Sequence, residues 1–220
     1  MNRTIVVGDI HGCYDELRLL LAKAELNDDD RVIAVGDLTV KGPKSRAVLE
    51  LFSQDPRFSS VIGNHDRALV NYWKGEWIEL KPSQMKTLKE LLAGGKHLLD
   101  YLTALPGYIE LENHIVVHAG VRKNVPLRNQ VIEDLVELRT LGPDRTDRDG
   151  KPWYQEYNGE KVVLFGHWPS PLPRRGPKAI GLDTGCVYGY QLTAYIVEGG
   201  EFVSVNALEA YDKSGSKKSS

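Results

Sequence analysis

An α/β fold with a parallel sheet is what this sequence predicts, and three observations carry the reading. Short apolar runs, Thr4-Ile5-Val6-Val7, Val32-Ile33-Ala34-Val35 and Ser60-Val61-Ile62, have the length and composition of buried strands. Helical patterns separate them, so the chain opens β-α-β-α, an order that favours parallel strands joined by right-handed crossovers. Each run also ends in a glycine beside a polar residue, Gly8-Asp9, Gly36-Asp37 and Gly63-Asn64. Ligands of open α/β sheets sit just beyond such carboxyl ends.

The first helix opens with Asp15-Glu16, acidic residues suited to the positive end of a helix dipole, and places Leu17, Leu20, Leu21 and Ala24 on one face. Asn27-Asp28-Asp29-Asp30 reads as a solvated turn before the next strand. After Val35, Gly42-Pro43 reads as a helix start, because proline in the first turn gives up no needed N–H, and the second helix runs near Lys44 to Phe52. Residues 67–106 are helical in pattern and too long for a simple crossover, so they read as a helical insertion. Its aromatic residues, Trp73 and Trp77 among them, read as core, and the insertion as either a cover beside the site or a packing element remote from it. Tyr108–Leu111 and Ile115–Val117 form a strand pair around Glu112-Asn113. Val131–Leu138 is a short helix, Val162–Phe165 a buried strand, and the proline-rich Pro169–Pro177 a loop. Ala179–Asp183, Gln191–Val197 and Phe202–Val205 read as a closing meander. The domain expectation is one unit over residues 1–212 with a polar, disordered tail over 213–220.

Composition narrows the function classes. A formal net charge of −2 argues against a basic nucleic-acid surface, and no apolar run reaches the roughly 18 residues of a membrane span. Cys13 and Cys186 are too few for a disulfide framework and lack metal-type spacing, so both read as reduced thiols of a cytoplasmic protein.

The chemistry concentrates at strand ends. Five apolar strands run into Gly8-Asp9-Ile10-His11, Gly36-Asp37, Gly63-Asn64-His65, His118-Ala119-Gly120 and Gly166-His167, using four of the six histidines. Side by side in a sheet, these strands would bring every polar group to one edge. Mixed Asp, Asn and His donors without cysteine suit Mn²⁺, Fe²⁺ or Zn²⁺ better than a thiolate site. Six candidate ligands exceed the needs of one catalytic ion. Two ions bridged by one carboxylate fit the number, and such pairs clamp a phosphoryl oxygen and ionise a bound water. Hydrolysis of phosphate esters or phosphoanhydrides follows.

These motifs, with Gly12, Asp66, Val117 and Leu182-Asp183-Thr184-Gly185-Cys186, resemble those of the calcineurin-like metallophosphoesterases. The similarity lies in the phosphoprotein phosphatase branch that includes the bacterial diadenosine tetraphosphatases and ApaH-like phosphatases, and spans about residues 4–205. The resemblance implies a four-layer α/β/β/α sandwich and two divalent ions, Mn²⁺ foremost, with Fe, Zn or Co as alternatives. It implies Asp9, His11 and a bridging Asp37 on one ion, and Asp37, Asn64, His118 and His167 on the other. It further implies His65 as the acid near the leaving group and Arg139 as a phosphate clamp, with a small phosphorylated molecule or a phosphoprotein as partner.

The sequence departs from the branch at Gly36-Asp37-Leu38-Thr39-Val40-Lys41-Gly42, where Gly-Asp-x-Val-Asp-Arg-Gly is typical. Val40 replaces the carboxylate that orients the catalytic histidine, leaving open whether another carboxylate takes its place. Lys41 replaces the phosphate-binding arginine with a point charge. A histidine without its carboxylate is a poorer proton donor. Loss of the donor matters for an alkoxide but little for a terminal phosphate, whose second pKa is near about 6. The expected function is therefore two-metal hydrolysis of dinucleoside polyphosphates or related anhydrides, with a Ser/Thr phosphoprotein phosphatase as the alternative. A degenerate scaffold is the third class, and retention of all six ligands argues against it.

Overall fold

The computed structural model describes residues 2–213 of the 220, so of the expected polar tail only Lys213 lies within the described residues. Two five-stranded sheets carry the fold. In the first, β1 (Thr4–Val7), β2 (Arg31–Ala34) and β3 (Phe58–Ser60) run parallel, joined through α1 (Tyr14–Lys23) and α2 (Ser45–Gln54). The other sheet holds β4 (Tyr108–Glu110) and β5 (His114–Val117), the antiparallel pair, then β6 (Val162–Phe165), β7 (Arg174–Gly176) and β8 (Ala179–Gly181) in the order β4-β5-β6-β8-β7. The chain then returns to the first sheet, where β9 (Gln191–Ile196) and β10 (Glu201–Asn206) add antiparallel to β1, giving β10-β9-β1-β2-β3.

The side-chain period of two explains why the central strands are apolar along Ile5–Val7, Val32–Ala34, Ile115–Val117 and Val162–Phe165. Val6, Ile33, Val116 and Leu164 face the gap between the sheets, with Val35, Val61 and Leu182. Their neighbours Ile5, Val7, Val32 and Ala34 face α1, α2, α3 (Asn64–Trp73), α4 (Pro82–Gly94) and α5 (Lys96–Thr103). On the opposite outer face, Ile115, Val117, Val163 and Phe165 pack against Leu135 of α6 (Ile132–Glu137), Leu138, and Trp153 and Tyr154 of α7 (Trp153–Glu156). Strands covered on both faces show no polar alternation. The four layers are the α/β/β/α sandwich expected.

Several expectations need correction. The five motif strands do not share one sheet edge: β1, β2 and β3 belong to one sheet, β5 and β6 to the other, and their ends converge across the gap. Ala179–Asp183 is not part of a meander with the last strands, because β8 pairs in parallel with β6. The segment Pro169–Pro177 contains a strand, β7, on the sheet edge where prolines cost no ladder bond. Helix α2 starts at Ser45 rather than at Pro43, since Val40 (φ 72°) and Lys41 (φ 70°) are left-handed and the chain turns before the helix opens. The Val40 N–H donates to Ser45 Oγ (3.0 Å). Trp73 packs against the core, but Trp77 is fully exposed. Asp30 is buried, accepting from Arg3 N and Nε (3.1 Å each) and Asn27 N (3.0 Å), so the acidic turn is a clasp and not merely solvated.

Candidate active site

The loops after β1 and β2 are tied to one another before any side chain is considered. His11 N–H donates to Asp37 O (2.7 Å) and Gly12 N–H to Leu38 O (2.9 Å). Both loops turn tightly, with His11 and Asp37 each at φ 48° and Gly36 at 97°, where glycine alone is unstrained. Strain of this kind persists where surrounding bonds over-determine it. The start of α3 supplies those bonds: the Asp66 carboxylate accepts from Leu38 N (3.1 Å), Thr39 N (3.2 Å) and Thr39 Oγ1 (2.6 Å). His65 N–H in turn donates to Asp37 Oδ1 (2.9 Å).

The second sheet brings its residues to the same place. His118, following β5, donates Nδ1–H to Val35 O (2.9 Å) across the gap, and His167, following β6, donates its backbone N–H to both Asp9 carboxylate oxygens (3.1 Å each). Asp37 Oδ2 then lies 3.4 Å from His11 Nε2 and 3.6 Å from His118 Nε2. Asn64 Oδ1 stands 3.0 Å from His118 Nε2 and 3.1 Å from His167 Nδ1. All six residues expected as ligands are thus assembled. Four of the six, together with His65, bring potential ligand atoms within 4.8 Å of one another in two groups, His11–Asp37–His65 and Asp9–Asp37–His118, with Asp37 common to both. Asp9 and His11 fall in different groups, and His65 lies with His11 and Asp37.

The donor set fits divalent cations on electrostatic and hydrogen-bond grounds. Burial, then Asp183 and Asp37, pushes the Asp9 carboxyl well above its usual range, and burial brings Asp37 and Asp183 up to about 6. Burial holds His11 and His167 well below the usual imidazole range and brings His118 down to about 4, so all three are neutral. Backbone carbonyls set two tautomers: Nδ1 of His11 and of His118 donate to Thr39 O (3.0 Å) and Val35 O, turning both Nε2 lone pairs inward. The His118 lone pair therefore faces the Asn64 carbonyl oxygen, two acceptors within 3.0 Å, while His167 Nε2 is buried without a partner. Clustered carboxylates and convergent lone pairs are what cations accommodate, and the absence of thiolate suits borderline to hard ions.

A cavity of about 760 Å³ opens over this cluster and is lined by Asp37, His65, Lys41 and Arg139, as well as Lys81, Arg148 and Asp183. Lys41 Nζ approaches His11 Nε2 (2.9 Å) and lies 5.3 Å from the Tyr188 ring centre. Arg139 donates to Thr146 O (3.4 Å). Sequence reasoning missed Lys81, Arg148 and Asp183. The Leu182-Asp183 motif carried the signal for the last; Lys81 and Arg148 lie in segments without one. Val40 is buried, and Asp66, spent on the Leu38–Thr39 backbone, does not take over its missing role at His65.

The chain is similar to several known proteins. A family model described as calcineurin-like phosphoesterase matches residues 2–201. Bis(5'-nucleosyl)-tetraphosphatase PrpE [asymmetrical] of Bacillus subtilis (strain 168) is 32% identical, covering 95% of this chain and 96% of its own. The symmetrical bis(5'-nucleosyl)-tetraphosphatase of Neisseria meningitidis serogroup A is 27% identical over 94% and 96% of the two chains. A crystal structure of a candidate diadenosine tetraphosphatase superposes with a TM-score of 0.80 at 34% identity, covering 94% of both chains.

Proposed function

This chain belongs to the calcineurin-like phosphoesterase family, hydrolases of phosphate esters and anhydrides, and from that premise we propose that it hydrolyses dinucleoside polyphosphates at a two-cation centre. The observation that carries the substrate class is the cavity lining: Lys41, Lys81, Arg139 and Arg148 surround the space beside Asp37. A tetraphosphate bridge spreads its negative charge over several phosphates and calls for several cations, whereas a phosphoserine presents one phosphate. Both tetraphosphatase relatives act on such bridges.

Asp9, His11, Asp37, Asn64, His118 and His167 would hold the cations, with Asp37 shared. Mn²⁺ suits this oxygen and nitrogen set, with Fe, Zn or Co as alternatives. Bound there, the ions supply Lewis acidity toward the phosphoryl group and an activated water. The chain's own contribution is to orient. Lys41 and Arg139 hold the phosphates, the arginine fork engaging two oxygens at once. His65, at the start of α3, faces the reacting phosphate.

The test is turnover of diadenosine tetraphosphate against a phosphoserine peptide with Mn²⁺, products read by chromatography and metal content by elemental analysis. Preference for the tetraphosphate by about 100-fold or more in kcat/KM is expected, with ATP plus AMP or two ADP as products. Asp37→Asn should abolish turnover and release metal. Preference for the peptide, or near-normal activity of Asp37→Asn with two ions bound, would overturn the reading.

A further inference from the structure

We propose that Gln84 is a positioning residue that sets the tautomer of His65, placing the ring proton on Nε2 and making the histidine a hydrogen-bond donor to the departing phosphate. Gln84 is the third residue of α4 and is buried. Its Oε1 accepts the Lys81 N–H at 2.8 Å, the reach-back of a capping box. That bond settles which end of the amide is which. The Nε2 group therefore faces His65 Nδ1, at 3.4 Å. An amide N–H₂ can only donate, so Nδ1 is the acceptor and carries the lone pair. The ring proton resides on Nε2, the nitrogen left for the cavity that His65 lines. The arrangement is opposite to that of a carboxylate partner, which accepts Nδ1–H and stabilises a protonated ring. Val40 supplies no carboxylate and Asp66 is engaged elsewhere, so Gln84 is the side chain hydrogen-bonded to Nδ1 among the described residues.

The consequence for substrate choice rests on the two-cation hydrolase reading above; the tautomer does not. In anhydride hydrolysis the water oxygen forms the new P–O bond, and the bridging P–O bond breaks with its electron pair leaving on the terminal phosphate. That group departs as an anion, its second pKa being near about 6, and the water's proton passes to solvent. A hydrogen bond from His65 Nε2–H suffices there. An alkoxide must gain a proton as it leaves, and a histidine whose Nδ1 faces a donor is badly placed to give one. Gln84 thus favours anhydrides over alkyl esters.

Gln84→Glu is the discriminating variant. A glutamate at this position still caps α4 through one oxygen, while the other becomes an acceptor for Nδ1–H. The measurement is the ¹⁵N shift pair of His65 in the full-length protein loaded with Mg²⁺ or Zn²⁺, assigned by its loss in His65→Asn. In the parent, Nε2 should read as protonated and Nδ1 as bearing a lone pair; in Gln84→Glu, Nδ1 should become protonated with an unchanged Tm. The ratio of phosphoserine-peptide to diadenosine tetraphosphate turnover should rise at least 10-fold, a part of the about 10²–10⁴ that full general-acid assistance supplies. A protonated Nδ1 in the parent, or identical His65 shifts in the two proteins, would overturn the assignment whatever the enzyme's substrate proves to be. Changed shifts with an unchanged ratio would remove its role in leaving-group choice.

Discussion

A methyl group on Gly166 would sit 1.8 Å from Asp9 Oδ1, and one on Gly63 would sit 2.1 Å from Asp37 Oδ1. Real Cβ atoms never approach so closely, so these glycines are the space into which the two carboxylates fit. Neither has a positive φ; close approach and not backbone freedom explains them. Gly166→Ala is accordingly expected to displace Asp9, lower bound metal below two ions per chain, and cut turnover by about 100-fold or more, since a shift of about 1 Å can cost 10² in rate. Elemental analysis beside a steady-state assay checks it. A fully loaded, active Gly166→Ala protein would mean that the loop after β6 yields without disturbing Asp9.

Elements are held in register by a buried clasp at the amino-terminal ends of β1 and β2, far from the chemistry. Asp30 accepts from Arg3 and from the turn backbone at Asn27, and the Arg3 guanidinium, followed by those backbone bonds, brings its carboxyl down to about 2 from 3.8. A depressed folded-state pKa means stability that is fully present above the unfolded value near 3.8 and lost as pH falls through about 2. Asp30→Asn should therefore cost about 2 kcal/mol at neutral pH, in the range for hydrogen bonds to charged groups. The gap between the two proteins' urea midpoints should close between about pH 4 and pH 2. A gap that persists unchanged at pH 2 would assign the loss to packing.

At the scale of the whole molecule, the site exists because two sheets are pressed together. Leu164 on β6 packs between them with Val6, Ile33 and Val116, and the sheets carry different candidate ligands: Asp9, His11 and Asp37 on one, His118 and His167 on the other. Leu164→Ala should destabilise the fold by about 2–5 kcal/mol, the usual range for a buried leucine. Because the gap it opens lies between the ligand-bearing halves, metal affinity should fall along with Tm. Calorimetry paired with metal titration tests this, and a lowered Tm with unchanged affinity would show that the bonds from His118 to Val35 O and from His167 N–H to Asp9 hold the halves in place without it.

Local information in the chain determined the strands, the helices between them and the residue types of the centre. Apolar runs such as Ile5–Val7 need burial wherever they go, and a glycine beside Asp, Asn or His after such a run can be read without knowing its neighbours. Burial on both faces also told in favour of covered layers, though the four-layer arrangement came by resemblance. Tertiary structure decided what depends on partners distant in sequence. Whether β8 joined β6 or the closing strands turned on the pairing of Leu164 with Ile180, which periodicity cannot express. Asp30 looked like any acid in a polar turn until Arg3, 27 residues away, was brought beside it. Lys81, Arg148 and Gln84 gave no signal because lysine, arginine and glutamine in helical or loop segments are ordinarily solvated. Their positions come from the placement of α4 and of the loop after Arg139 at the cavity, and a side chain's chemistry there is set by what the fold places against it.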